Sequence, residues 1–356
     1  MKGLASAPGK IILFGEHAIN RQQAGISAAV DRRAYALVTL AGSDVELVFR
    51  AEGQRLTWEG LGEFRARVDA LRTHHDLYGI RDLVRGDFFA PAKYVLSLLR
   101  ERLGYDGGCR VEWRSALPMG SGMGSGAAAS AAMIGAFATA LGRDLPPVEV
   151  AHLAWQGDIL AHGGVASALD SSACALGGCG LVSTSWPPRT LSGVLELPIV
   201  VGDTGVRAST GEVNTRVREA LQSRPHLGIL FEEIGLLVER AVPALERGDL
   251  QVVGRLMHMN HLLLRELGVS CPELERLVEA ALSAGAWGAK LSGSGGGGIM
   301  VAVAPGDRVA EVACALGGAG GRPMALRVGV EGVRSEPVEL WDKLGEEMLQ
   351  HADSER

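Results

Sequence analysis

Two glycine-rich runs constrain this chain more than any other feature. Pro118-Met-Gly-Ser-Gly-Met-Gly-Ser-Gly126 lies in the first half of the 356 residues, and Lys290-Leu-Ser-Gly-Ser-Gly-Gly-Gly-Gly298 lies late in the second. Glycine removes the side chain and permits positive φ, so each run leaves a row of bare N–H donors at a turn. The first run leads into Ala127–Leu141, an alanine-rich stretch that reads as a helix. Backbone donors at a helix start, aided by the helix dipole, suit phosphate oxygens. Two such runs in one chain point to phosphate handling rather than to a pair of ordinary tight turns.

The common phosphate motifs do not fit. A Walker loop needs a Lys before Ser or Thr after its second glycine, and neither run has one. Gly293 to Gly298 matches GxGxxG formally, but the strand-like Ile299-Met-Val-Ala-Val303 follows where a dinucleotide fold needs a helix. Ser121 and Ser125 lack the context of a nucleophilic serine, and His258-x-x-His261 has helical spacing with no evident third metal ligand.

The chain is too long for one typical core, so two domains are expected, 1–187 and 188–356. The polar stretch Thr184–Ser192, with Trp186-Pro187-Pro188, is the expected linker. In the first domain, strands are expected at Lys10–Phe14, Ile26–Leu40, Val45–Arg50, Arg55–Glu59 and Cys109–Ser115. Helices are expected at Glu63–Tyr78, Pro91–Leu103, Ala127–Leu141 and Pro147–His162. The second domain reads as a strand at Leu197–Val201, then helices at Gly211–Gln222, Gly228–Glu246, Leu250–Leu267 and Cys271–Ala284. Strands at Gly288–Leu291 and Gly298–Val303, a helix at Val309–Leu316 and a strand at Ala325–Val330 complete it. That order suggests a ferredoxin-like unit in an α+β protein. The tail after Lys343 is expected to fray.

A net charge of −6 argues against a nucleic-acid partner. The stretch Gly126–Leu141 would make a helix of about 24 Å, too short and too weakly apolar to span a bilayer, so no membrane partner is expected. Five scattered Cys without a CxxC pair indicate neither a disulfide framework nor a zinc site. No apolar segment precedes a cleavage site near Met1, and a cytoplasmic protein is expected.

Three segments together resemble the GHMP small-molecule kinases. Pro8-Gly-Lys-Ile-Ile-Leu-Phe-Gly-Glu-His17 is similar to their first motif, Pro118–Ala128 to their second, and Lys290–Gly298 to their third. The order and spacing cover nearly the whole chain. The Gly15-Glu-His17 ending and the Gly288-Ala-Lys-Leu-Ser-Gly293 form look most like the mevalonate kinase branch. The resemblance implies a two-lobed fold, a ribosomal-protein-S5-like N-terminal domain and a ferredoxin-like C-terminal domain closing the cleft. It implies ATP and Mg2+ as cofactors, mevalonate as acceptor at its primary hydroxyl, and 5-phosphomevalonate as product on the isoprenoid route. It admits a homodimer; the sequence itself does not set the oligomeric state.

The resemblance also implies roles for residues. Pro118, Gly120, Ser121, Gly122, Met123, Gly124 and Ser125 would cradle the nucleotide phosphates, with Met123 read as packing; Gly293, Gly295 and Gly296 would close over them. Asp170 would take or orient the hydroxyl proton, with Lys10 beside it. From spacing alone, Asp170 reads equally as a helix cap. Glu16, His17 and Thr210 would face the acceptor, although an ST-turn also explains Thr210. Asp158 falls where the family carries a glutamate ligand for magnesium. The chain departs from the family at Gly126, where the second of two serines usually holds the metal, so Ser125, Asp158 or water must substitute. It departs again at Ala166-Ser167-Ala168, where Pro-Ser-Gly is usual. Another GHMP kinase (phosphomevalonate kinase, mevalonate 3-kinase, sugar kinase) or a silent ATP- and ligand-binding sensor stays open at this point.

Overall fold

The computed structural model describes residues 1–192 and 197–345. Strand β1 (Lys2–Phe14) and strand β2 (Gly25–Leu40) pair antiparallel along most of their length. Next come β3 (Val45–Phe49), β4 (Glu52–Leu56), α1 (Trp58–Thr73), α2 (Leu77–Val84), α3 (Ala90–Leu103) and β5 (Cys109–Ser115). Then follow α4 (Ser125–Ala140), α5 (Pro147–Ala161), α6 (Leu169–Leu176), β6 (Cys179–Val182) and β7 (Arg189–Thr190). The second lobe contains β8 (Ile199–Asp203), α7 (Thr210–Ser223), α8 (Ile229–Glu246), α9 (Leu250–Glu266) and α10 (Pro272–Ser283). It continues with β9 (Gly288–Ser292), β10 (Ile299–Val303), α11 (Val309–Gly318) and β11 (Arg322–Ala325), and β12 (Arg334–Glu336) follows.

The first sheet runs β12-β1-β2-β5-β3-β4, with β6 also on β2 and β7 on β6. The apolar helix α4 lies against β1 and β2 with its small residues inward. The approach is so close that a Cβ on Gly3 would sit 2.3 Å from the Ala136 carbonyl. This explains why β1 starts at Lys2 rather than Lys10: Gly3, Ala5 and Ala7 are small to admit α4, and Gly9 is small to admit Leu117 and the Met123 carbonyl. The expected helix Glu63–Tyr78 is two helices. His75 takes a φ of 53° between them, and the Asp76 carboxylate caps α2 by accepting from Gly79 N–H at 2.8 Å. The expected strand Arg55–Glu59 is β4, shifted earlier, because the Thr57 hydroxyl caps α1 by accepting from Gly60 N–H at 3.1 Å.

The second sheet runs β11-β8-β10-β9, all antiparallel. Numbered along the lobe, that order is four-one-three-two, a ferredoxin-like arrangement with α9, α10 and α11 packed against its strands. Strand β11 ends at Ala325, short of the expected Ala325–Val330. Beyond it the chain leaves this sheet and returns to the first. Val30 bridges Val328, β12 pairs with β1, and Trp341 and Leu344 pack on Leu4 and Leu37. Strand β7 also belongs to the first sheet. Sheet pairing therefore crosses the expected 187/188 boundary, with residues from both ends of the later segment joining the first sheet. Residues 340–345 are helical, and the rest of the tail lies outside the described residues. No helix among the described residues is long and apolar enough to cross a membrane.

Candidate active site

The first glycine run forms the loop from β5 to α4. Gly120, Gly122 and Gly124 take φ values of 67°, 86° and 70°, so every second residue is left-handed and needs glycine. Met123 between them is buried in the main core, which makes it a packing residue. The Ser121 hydroxyl donates to the Pro118 carbonyl at 2.9 Å, so that side chain closes its own loop. Helix α4 starts at Ser125, and its first N–H groups have no carbonyl to bond within the helix.

Lys10 runs directly beneath this loop. Its ammonium donates to the Gly122 carbonyl at 2.9 Å and pairs with Asp170 Oδ1, also at 2.9 Å. Its backbone N–H donates to the Met123 carbonyl at 2.9 Å. Gly124 is needed for this fit, since a Cβ there would lie 2.9 Å from Lys10 Cγ. Lys10 is buried, and irregularities at Pro8/Gly9 and Ile12/Phe14 flank it on β1. Bulges of this kind re-aim side chains beside active sites. Asp170 stands in the first turn of α6, whose cap position is Ala168; the carboxylate caps nothing and turns to Lys10 instead.

Asp158, on α5, is buried, and its Oδ2 has no partner among the described residues. Burial, and secondarily the negative charge of Asp170, push its carboxyl well above the usual range. A buried carboxylate oxygen with no donor suits a cation. Among the described residues no group of three or more His, Cys, Asp or Glu could hold a metal ion. The donor set therefore fits magnesium carried on nucleotide phosphates, not a metal caged by protein. Gly126 is exposed, and a side chain there would meet open space, so nothing steric explains the missing serine.

Asp158 gives a pH prediction. A raised carboxyl in the folded state means that the folded chain holds a proton that the unfolded chain has released. Stability then falls as pH rises from the unfolded carboxyl value, about 3.9, through the raised folded one. Asp158→Asn removes that decline. Without ligands, its melting temperature is expected to exceed wild type by a margin that grows as pH rises above the ordinary carboxyl range, reaching several degrees. A margin that is constant with pH would refute the buried, unpartnered carboxylate.

The remaining expected residues cluster at the seam between lobes. Glu16 is buried and ion-paired with Lys290 of β9. His17, at a φ of 61°, places Nε2 2.8 Å from the Ser294 carbonyl, and burial lowers its pKa so that the neutral ring is favoured. Thr210, first residue of α7, donates to the Ser294 hydroxyl at 3.3 Å, which is a tertiary contact and not an ST-turn. The second run packs chiefly on protein. A Cβ on Gly298 would lie 2.7 Å from the Ser121 carbonyl, and one on Gly293 3.4 Å from Gly122 Cα, so the two runs touch. Gly295 faces the Val269 backbone and Gly296 the Arg216 side chain.

Lys290, Ser292, Ser294 and Arg207 were not singled out from sequence. Arg207 forms a bidentate pair with buried Asp203 at 3.0 Å and lies against Gly120. Lys290 carried a signal: a lysine in a buried apolar strand requires an acceptor set. Among the described residues His258 and His261 belong to no group of three metal-ligating side chains; His261 Nδ1 accepts from Leu291 N–H at 3.3 Å and secures α9 to β9. A cavity of about 330 Å³ between α1 and α3 shares no residue with this site, and its Arg65 and Arg100 are paired with Glu101 and Asp106.

Comparison with known proteins identifies the family. Residues 90–178 match the family model for the GHMP kinases N terminal domain, and residues 241–322 that for GHMP kinases C terminal. A mevalonate kinase of Thermococcus sibiricus is 36% identical over 95% of this chain and 99% of its own length. One of Pyrococcus horikoshii is 37% identical over 94% and 98%. A crystal structure of L. major mevalonate kinase in complex with R-mevalonate is 26% identical, covers 93% of this chain and 96% of its own, and has a TM-score of 0.68. A galactokinase of Lactococcus lactis complexed with galactose reaches a TM-score of 0.73 at 19% identity, covering 94% and 95%, and so shares the fold alone.

Proposed function

We propose a reaction from one premise: the chain belongs to the GHMP kinase family. It transfers the terminal phosphoryl group of ATP to the primary hydroxyl of mevalonate and yields 5-phosphomevalonate for isoprenoid biosynthesis. The observation that carries this reading is the Lys10–Asp170 pair seated under the glycine loop. Fold does not choose the acceptor, since a galactokinase superposes as well as the mevalonate kinases do. Identity above one third along nearly the whole chain favours mevalonate.

The residues divide the work of an in-line transfer. Amides of Gly120 to Ser125 and the start of α4 bind phosphate oxygens. Their carbonyls are held back by Lys10, whose bond to Gly122 turns that oxygen away from the anion. Asp170 accepts the hydroxyl proton, and the ammonium 2.9 Å away stabilises its negative charge. Lys10 thereby links the phosphate loop to the acceptor end. Asp158 would hold magnesium, which neutralises phosphate charge when bound, and Ser125 or water would stand in for the hydroxyl absent at Gly126. Glu16, His17 and Thr210 line the acceptor end at the seam between lobes.

A silent sensor is disfavoured by the same pair, because ligand binding alone has no use for an ammonium–carboxylate couple at the phosphate loop. The test is turnover with ATP and magnesium across mevalonate, phosphomevalonate, homoserine and galactose. Mevalonate is expected to give the highest kcat/KM by at least about 10²-fold, the discrimination that buried polar contacts supply. A better acceptor among the other three would overturn the substrate assignment.

A further inference from the structure

Strand β1 carries Lys10 just before an irregularity that is held from the opposite lobe. There Ile12 N–H donates to Ser292 Oγ at 2.8 Å, and the Ile12 carbonyl lies 3.5 Å from Lys290 Nζ. The same ammonium donates to the Leu291 carbonyl at 2.6 Å and to Glu16 Oε1. An ammonium has three N–H bonds, so Lys290 is saturated. Glu16 is not. Its Oε1 is taken by Lys290, while its Oε2 is buried with no partner among the described residues. Burial pushes Glu16 up and Lys290 down, and each opposes the shift of the other. A buried carboxylate oxygen left without a donor is unfavourable unless a ligand supplies one.

We propose that Lys290 is a positioning residue for the acceptor: it occupies Glu16 Oε1, fixes the end of β1, and thereby presents Glu16 Oε2 to a hydroxyl of the acceptor substrate. This deepens the reading above and rests on it. Two consequences separate Lys290 from a merely structural ion pair. The effect falls on acceptor binding and not on nucleotide binding, because Lys290 touches neither the 120–125 loop nor α4. Glu16 and Lys290 also act as one unit, so removing either has the same result as removing both.

The experiment compares wild type with Lys290→Met, Lys290→Arg, Glu16→Gln and the double variant Glu16→Gln/Lys290→Met. It measures KM for acceptor and for ATP, kcat and melting temperature. Lys290→Met and Glu16→Gln are each expected to raise the acceptor KM ~10–100-fold, as for a lost charge-assisted bond, with the ATP KM within twofold. The double variant is expected to show a similar acceptor KM and not the product of the two increases. Its melting temperature recovers toward wild type, because no buried charge is left unpaired. Lys290→Arg keeps the charge and the acceptor KM stays within a few-fold. If Lys290→Met does not fold, the double and Arg variants carry the test. A double variant that regains the wild-type acceptor KM, or equal rises in both KM values, overturns the proposal. If wild type prefers another acceptor, the mevalonate reading fails on wild type alone, and the clamp is scored on that acceptor.

Discussion

Asp170→Asn is expected to fold, to bind ATP within a few-fold of wild type, and to turn over about 10²–10⁴-fold more slowly. The substitution keeps shape and an oxygen that can accept from Lys10 Nζ, now at 2.9 Å from Oδ1, so the loop above stays in place. What disappears is the anion that takes the hydroxyl proton. Phosphoryl transfer has a loose transition state in which the nucleophile's proton leaves late, so the smaller end of that range would still fit the role. The loss should appear in kcat and kcat/KM equally, the pattern of an interaction made in the transition state. Activity above about a tenth of wild type would show that Asp170 is not the group that handles the proton.

Lys10→Met is expected to be the second most damaging change, lowering kcat about 10²–10³-fold. Methionine matches the length and leaves the buried stem filled, so the expected loss is one of charge and hydrogen bonds and not of packing. Two partners are released together: Asp170 and the Gly122 carbonyl. Freeing that carbonyl lets the loop rotate an oxygen toward the phosphates, so the ATP KM should rise as well. This rise distinguishes Lys10 from Asp170, whose replacement leaves the loop tied. Steady-state kinetics of both variants decide the matter: a Lys10→Met enzyme within tenfold of wild type, or one with ATP KM unchanged, would contradict the bridging role.

Much of this arrangement could be read before any coordinates, and the reasons are physical. Alternate positive φ values at Gly120, Gly122 and Gly124 can be met only by glycine, so the phosphate loop is written openly in the chain. The second lobe obeyed a strand-and-helix order that admits few topologies. Elements whose residue choice answers a neighbour were harder. Gly3, Ala5 and Ala7 look unlike a strand because α4 leaves no room for larger residues on β1. The return of 326–336 to the first sheet depends on partners far along the chain, as in Arg33 donating to the Gly332 carbonyl at 2.6 Å. Lys290 and Ser292 lie within a motif valued for its glycines, and their partner on β1, Ile12, lies in another lobe: its carbonyl faces Lys290 and its N–H donates to Ser292 Oγ. The burial of Asp158 is likewise a tertiary property, since Gly157 to Leu160 are all buried, a run that packing around α5 sets and helical periodicity alone does not.

The central claim is transfer to a primary alcohol held beside Asp170, and the product's phosphorus resonance tests it most directly. With ATP, magnesium and mevalonate, the account predicts a new phosphomonoester signal split by the two protons of an adjacent CH2. A signal lacking that splitting, from phosphate on the tertiary hydroxyl, or no product while ATP remains bound, would contradict it.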